Sequence, residues 1–214
     1  MRALANRAGV SSATPYNLFG SKHAILVALL NDDLAEYQAA LGDVDAGGIE
    51  VMFEAVRLTR RFLDRDPEIY RCVVAEISQD GGNQLRQLFG GPRYMLWKNM
   101  IAHAAQEGLL NDALDLDAFT ITVTQTIAAN VQEWALGQLT LDEMELRVLY
   151  ALALMLLAIA TDTSRGTLKA QLCRAEGDLQ QMWRTQLKQH LERGELDADM
   201  QMLLADQLQH IERL

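Results

Sequence analysis

"AGVSSATPYNLFGSK", residues 8–22, decides how the chain is read. Gly9 interrupts a helical stretch over residues 1–8, and Val10 is placed to plug the gap between two short helices. Ser11 can cap a second helix, Ser12–Phe19, by taking an orphan backbone N–H. Pro15 falls at its fourth position, still in the first turn, where a missing N–H does least harm. Gly20 stops that helix, and Ser21 caps a longer one over Lys22–Leu41. Ala24, Ile25, Ala28, Leu29 and Leu34 recur there at helical spacing. Two short helices about a glycine make a helix-turn-helix, a unit that sets its second helix in the major groove of DNA.

Charge sets this segment apart. The 214 residues carry a net charge of −10, which argues against non-specific binding to nucleic acid. Residues 1–31, however, hold Arg2, Arg7 and Lys22 and no acid; the first is Asp32. A head of charge +3 therefore sits on a body of charge −13, an asymmetry that points to an anion at the head.

Outward from the head the pattern stays helical. "GDVDAGG" (42–48) is a loop and a boundary. A helix over 49–65 follows, with Val51, Met52, Ala55, Val56, Leu58 and Phe62 inward. Asp66-Pro67 restarts the chain as N-cap and first helical residue, and that helix runs to Gln79. Further helices are expected from Pro92 to Glu107, then over 115–136, 140–162, 166–192 and 197–213. The one at 140 opens with a capping box, Thr140 to Glu143. No segment alternates as a strand does, so the fold class is all-α, about ten helices. "VLYALALMLLAIA" (148–160) is too short for a bilayer and reads as a buried helix. Leu146–Ala160 is apolar nearly all round, which predicts burial against a second copy of the chain.

"LANRAGVSSATPYNLFGSKHAIL" (4–26) resembles the TetR family of transcriptional repressors, with Ala5, Ala8, Gly9, Val10, Ser11, Thr14, Tyr16, Phe19, Ser21 and Lys22 in the family's places. The resemblance implies that Thr14, Tyr16 and Lys22 touch phosphates and that Ser12, Ala13 and Asn17 face bases. It implies too that Phe19, Ala5 and Ala8 pack the small core of the head. "EWALGQLTLDEMELRVLYALALML" (133–156) is similar to the family's pairing helices, implying a homodimer through about 117–160. Pro15 departs from the large apolar residue more usual there, and the family sets one more helix ahead of the one holding Ala5. A start upstream of Met1 is therefore expected. The division implied is a helix-turn-helix region with its connecting helix, 1–41, incomplete at its N-terminus, and an α-helical effector-binding and dimerisation domain, 49–214.

Taken singly, these residues have plainer readings. Tyr16 can be a half-buried aromatic on a helical hairpin, and Lys22 a solvated charge. Met52, Phe53, Tyr70, Met95, Trp97, Met100, Phe119 and Trp134 read first as core and second as the lining of a pocket for a small apolar or aromatic effector. His23, His103, His190 and His210 are scattered and predict no metal site, and no cofactor motif is present. Cys72 and Cys173 read as reduced thiols of a cytoplasmic protein. No nucleophile with a base and no phosphate-cradling loop is legible, so an enzyme is not expected. The expected function is a DNA-binding transcriptional regulator, a repressor released by its effector on a double-stranded operator; the alternative is a helical dimerisation or ligand-binding module that has lost DNA binding.

Overall fold

The computed structural model describes residues 5, 9–44, 46–79, 91–111 and 115–193. Within its helices the side chains at positions 22, 23, 26, 27, 29–31, 76–79, 92 and 190–193 lie outside that description. The described chain is all-helical. Its elements are α1 (Thr14–Phe19), α2 (Lys22–Gly42), α3 (Glu50–Arg65), α4 (Pro67–Gln79), α5 (Pro92–Gln106), α6 (Leu116–Ala135), α7 (Leu141–Ala158) and α8 (Asp162–Arg193). The helices expected over 1–8 and 197–213 fall outside the described residues.

Caps explain most of these bounds. Ser21 accepts from the Ala24 N–H at 3.0 Å at the head of α2. The Asp66 carboxylate accepts from Ile69 N–H at 3.3 Å, with Pro67 opening α4. Asp115 takes the N–H groups of Asp117 and Ala118 before α6. Thr140 accepts from Glu143 N–H at 3.1 Å before α7, one half of the expected capping box. The Glu143 carboxylate turns instead to Arg147.

The α7–α8 boundary differs from expectation. A helix to 162 and a restart at 166 were predicted; α7 ends at Ala158 and α8 begins at Asp162. Residues 159–161 leave the helix because their backbone pairs with the α5–α6 loop. Asn111 N–H donates to Ile159 C=O at 2.7 Å, and Thr161 N–H to Leu109 C=O at 3.2 Å, around an antiparallel bridge of Leu110 with Ala160. Thr161 Oγ1 also donates to Gly108 C=O at 2.8 Å. Backbone groups that would be orphaned at a helix end are thereby satisfied.

Two cores result. The larger joins α3, α5, α7 and α8 through Met52, Phe53, Trp97, Ile101, Leu152 and Leu168. The smaller joins α4 with the α6–α7 corner through Tyr70, Val73, Trp134, Leu139 and Met144. On α3 the inner face is as read for Met52, Ala55, Val56, Leu58 and Phe62, but Val51 is only half-buried and Phe53 and Leu63 are buried. The apolar run 146–160 is covered largely within its own chain: α7 packs against α8, α6 and α3. Leu154 is its one large apolar side chain left exposed, at 43%. α8, 32 residues and about 48 Å long, supplies much of that cover, while Leu146, Tyr150, Met155 and Leu157 stay half-buried. No helix among the described residues is long and apolar enough to cross a membrane.

Candidate nucleic-acid interface and ligand site

The head is built from two chain reversals. At the first, Gly9 has φ +66° and Val10 N–H donates back to Ala5 C=O at 3.0 Å. Residues 11–13 then turn once more, with Thr14 N–H donating to Ser11 C=O at 3.1 Å. This turn displaces the expected cap. The helix begins at Thr14, Ala13 occupies the capping position without a side-chain bond, and Ser11 Oγ lies 2.8 Å from Thr14 Oγ1. Pro15 is therefore the second helical residue rather than the fourth, a place where no N–H is needed. At the second reversal Gly20 takes φ +78° and donates to Tyr16 C=O at 2.7 Å.

Of the six residues expected to meet DNA, Ser12, Ala13, Tyr16 and Asn17 are exposed. Positions 13, 16 and 17 share one helical face. Thr14 is half-buried and its hydroxyl is engaged by Ser11, which leaves capacity for two further hydrogen bonds. Lys22 opens α2, but its side chain lies outside the described residues, as do the side chains of Arg2 and Arg7. Two packing expectations are corrected. Val10 is exposed rather than a plug, and Phe19 is 43% exposed rather than core. Ala5 is buried as expected, and Ala8 lies outside the described residues. Leu18, which played no part in the sequence reading, is 73% exposed.

The head reaches the body through one face of α2. The Tyr70 hydroxyl on α4 donates to Asp33 Oδ2 at 2.7 Å. The Tyr37 hydroxyl donates to Ala55 C=O on α3 and accepts from Thr59 Oγ1 at 3.3 Å, while its ring meets Phe62 edge-on at 5.5 Å. Arg65 pairs with Glu36 at 2.6 Å and lies 4.0 Å over the Phe62 ring. Burial pushes the Tyr37 hydroxyl up to about 12. Burial, with the Asp33 bond second, holds Tyr70 well above the ordinary tyrosine value. Arg93, at the start of α5 beside Tyr37, Asp33 and Tyr70, is lowered by its burial. The sequence reading gave α2 only its apolar positions. The missed signal was Asp33 and Tyr37 four apart, a polar pair on an otherwise apolar helical face.

The eight residues read as an effector lining are distributed over two cores. Met52, Phe53, Trp97 and Met100 belong to the larger, with Phe119 half-buried against it. Tyr70 and Trp134 belong to the smaller, and Met95 is 50% exposed. Trp134 borders an open bowl of about 690 Å³ between the α3–α4 junction, the α6–α7 corner and α8. The Arg71 guanidinium lies 5.3 Å over its ring. The floor of that bowl includes Glu143, a buried carboxylate that accepts from Arg147 at 2.7 Å and from Trp183 and Gln186 at 3.4 Å. Glu143 thus ties the first turn of α7 to the far half of α8. Phe53 borders a second, smaller cavity where α3, α7 and α8 meet.

No family model, no curated protein and no solved structure matches the chain.

Proposed function

We propose that the chain is a DNA-binding transcriptional regulator of the TetR kind, a repressor released by a small effector and working as a homodimer. The observation that carries this is the head. A six-residue helix stands between two reversals, and Ser12, Ala13, Tyr16 and Asn17 are exposed there in a stretch without a single acid. Small side chains let a helix approach base edges closely, and a hydroxyl at the rim suits a phosphate oxygen. The body, of charge −13, repels phosphate and confines contact to the head. The docking of α2 through Asp33, Glu36 and Tyr37 gives an effector in the body a rigid lever on the head. Pairing through about 117–160 is supported by the exposed Ile121, Leu136 and Leu154 within that span.

A second reading, a ligand-binding module without DNA binding, is favoured by one observation: the exposed Leu18 and Phe19 leave the head little core of its own. Selection of duplexes from a random pool separates the two. The regulator enriches a two-fold site with half-sites about 34–36 Å apart. A pool that stays random through repeated rounds removes the first reading and leaves the second.

A further inference from the structure

The open bowl beside Trp134, about 690 Å³, falls within the size range of ligand pockets. Its apolar wall is Pro67 at the start of α4 and Leu139 and Leu141 at the α6–α7 corner. Three charged side chains line it: Asp64, Glu143 and Arg71.

The two acids are already matched. Asp64 lies 3.1 Å from Arg60. Glu143 is buried and lies 2.7 Å from Arg147, with N–H groups of Trp183 and Gln186 further out. Arg71 is not matched. Its guanidinium lies 5.3 Å over the Trp134 ring, and among the described residues it makes no hydrogen bond and no ion pair. Trp134 is 1% exposed and belongs to the smaller core, so the platform under Arg71 is rigid. Stacking engages the face of a guanidinium and leaves the N–H groups along its edges unclaimed. Such a fork fits a carboxylate through two parallel, charge-assisted bonds.

We propose that this bowl binds a carboxylate carried on a small apolar body, with the carboxylate on Arg71 and the body against Pro67, Leu139 and Leu141. An ammonium would be repelled by Arg71 and would meet two acids that already have their cations. A neutral ligand would gain the walls alone and leave the fork to water. Arg71 follows Tyr70 on α4, and the Tyr70 hydroxyl holds Asp33 of α2 at 2.7 Å. Tyr70 also shares the smaller core with Trp134. An occupant of the bowl therefore sits one residue from the seam that carries the head. This names an effector class within the regulator reading and rests on that reading only for its consequence at DNA.

Calorimetry on the full chain near neutral pH, without DNA, tests it with 4-phenylbutyrate as probe and 4-phenylbutanol and 4-phenylbutylamine as neutral and cationic matches. The carboxylate binds, and each match binds at least about tenfold more weakly. Arg71→Gln weakens the carboxylate about tenfold and leaves the alcohol unchanged. Its melting curve reports folding, which an exposed side chain hardly affects. Arg174→Gln, at the other cavity, leaves the carboxylate affinity as it was. Three probes bound equally, no carboxylate bound by the folded wild type, an affinity unmoved by Arg71→Gln, or an equal loss in Arg174→Gln would overturn the proposal. A parallel duplex titration separates the claims: DNA bound without carboxylate sinks this site alone, and carboxylate bound without DNA sinks the regulator reading alone.

Discussion

The head and the body bury their large side chains very differently. In the body, Trp134 and Phe53 are 1% exposed and Met52, Ile101 and Leu168 are sealed. In the head, Val10, Tyr16, Leu18 and Phe19 all face solvent along a stretch of ten residues. The body is therefore stable through its own cores, whereas residues 9–20 keep their shape by glycine-directed turns, a capped α2 and the docking of that helix on α3 and α4. Burial is concentrated away from residues 9–20, the arrangement the proposed contact with DNA requires of that segment.

The largest effect expected from this contrast is that of Trp134→Ala set against Phe19→Ala. The first empties the smaller core and costs roughly 3–5 kcal/mol, a large share of a domain's stability. The second removes a ring that is 43% exposed and belongs to neither core, and costs about 1 kcal/mol or less. Denaturant melts of both variants check it, and equal losses would break the contrast.

The seam between the regions should fail in alkali. An unfolded chain ionises its tyrosines near 10, but burial keeps the Tyr37 proton up to about 12. The unfolded state thus binds fewer protons above pH 10. Stability is whole below that pH and is lost as pH climbs toward 12, by at most roughly 2–3 kcal/mol. Tyr70 adds in the same direction. Melting temperature followed against pH shows the fall, and Tyr37→Phe flattens it over that window.

A smaller effect sharpens the comparison at two glycines. Gly20 in the head and Gly48 beside the body have φ of +78° and +59°, so an alanine at either is strained by roughly 1–2 kcal/mol. At Gly20 the new methyl meets nothing within 4 Å; at Gly48 it would lie 2.8 Å from Leu109 Cδ1. Gly48→Ala should therefore destabilise more than Gly20→Ala in thermal melts, with Leu109 yielding part of the difference.

How much of this was legible follows from the range of each interaction. Caps act over three or four residues, so Ser21, Asp66 and Thr140 could be read from sequence and stand at their helix starts. The end of α7 could not, because it is set by Leu110 pairing with Ala160, fifty residues away. The cover of Leu152 and Leu156 was also hidden. It depends on α8 folding back along α7, which no local period announces. The start of α1 was misplaced by two residues because a backbone turn, Thr14 N–H to Ser11 C=O, occupies residues 11–14, and the Ser11 hydroxyl meets Thr14 Oγ1 instead of an orphan N–H. Of the candidate sites, the exposed face of α1 was readable because turns and helix spacing are local. The hollow at the α3–α7–α8 crossing was not, because Glu145, Phe53 and Asp178 come from three helices whose crossing only the folded chain defines.

The central claim is that the acid-free head meets duplex DNA through charge and close approach. Fluorescence anisotropy of labelled duplex from the chain's own promoter region, titrated with the full chain at about 50 mM and about 200 mM salt, tests it directly. The account predicts saturable binding that weakens at least about a hundredfold at the higher salt and is further reduced by Tyr16→Ala. Affinity that is absent at low salt, or that does not change with salt, would contradict it.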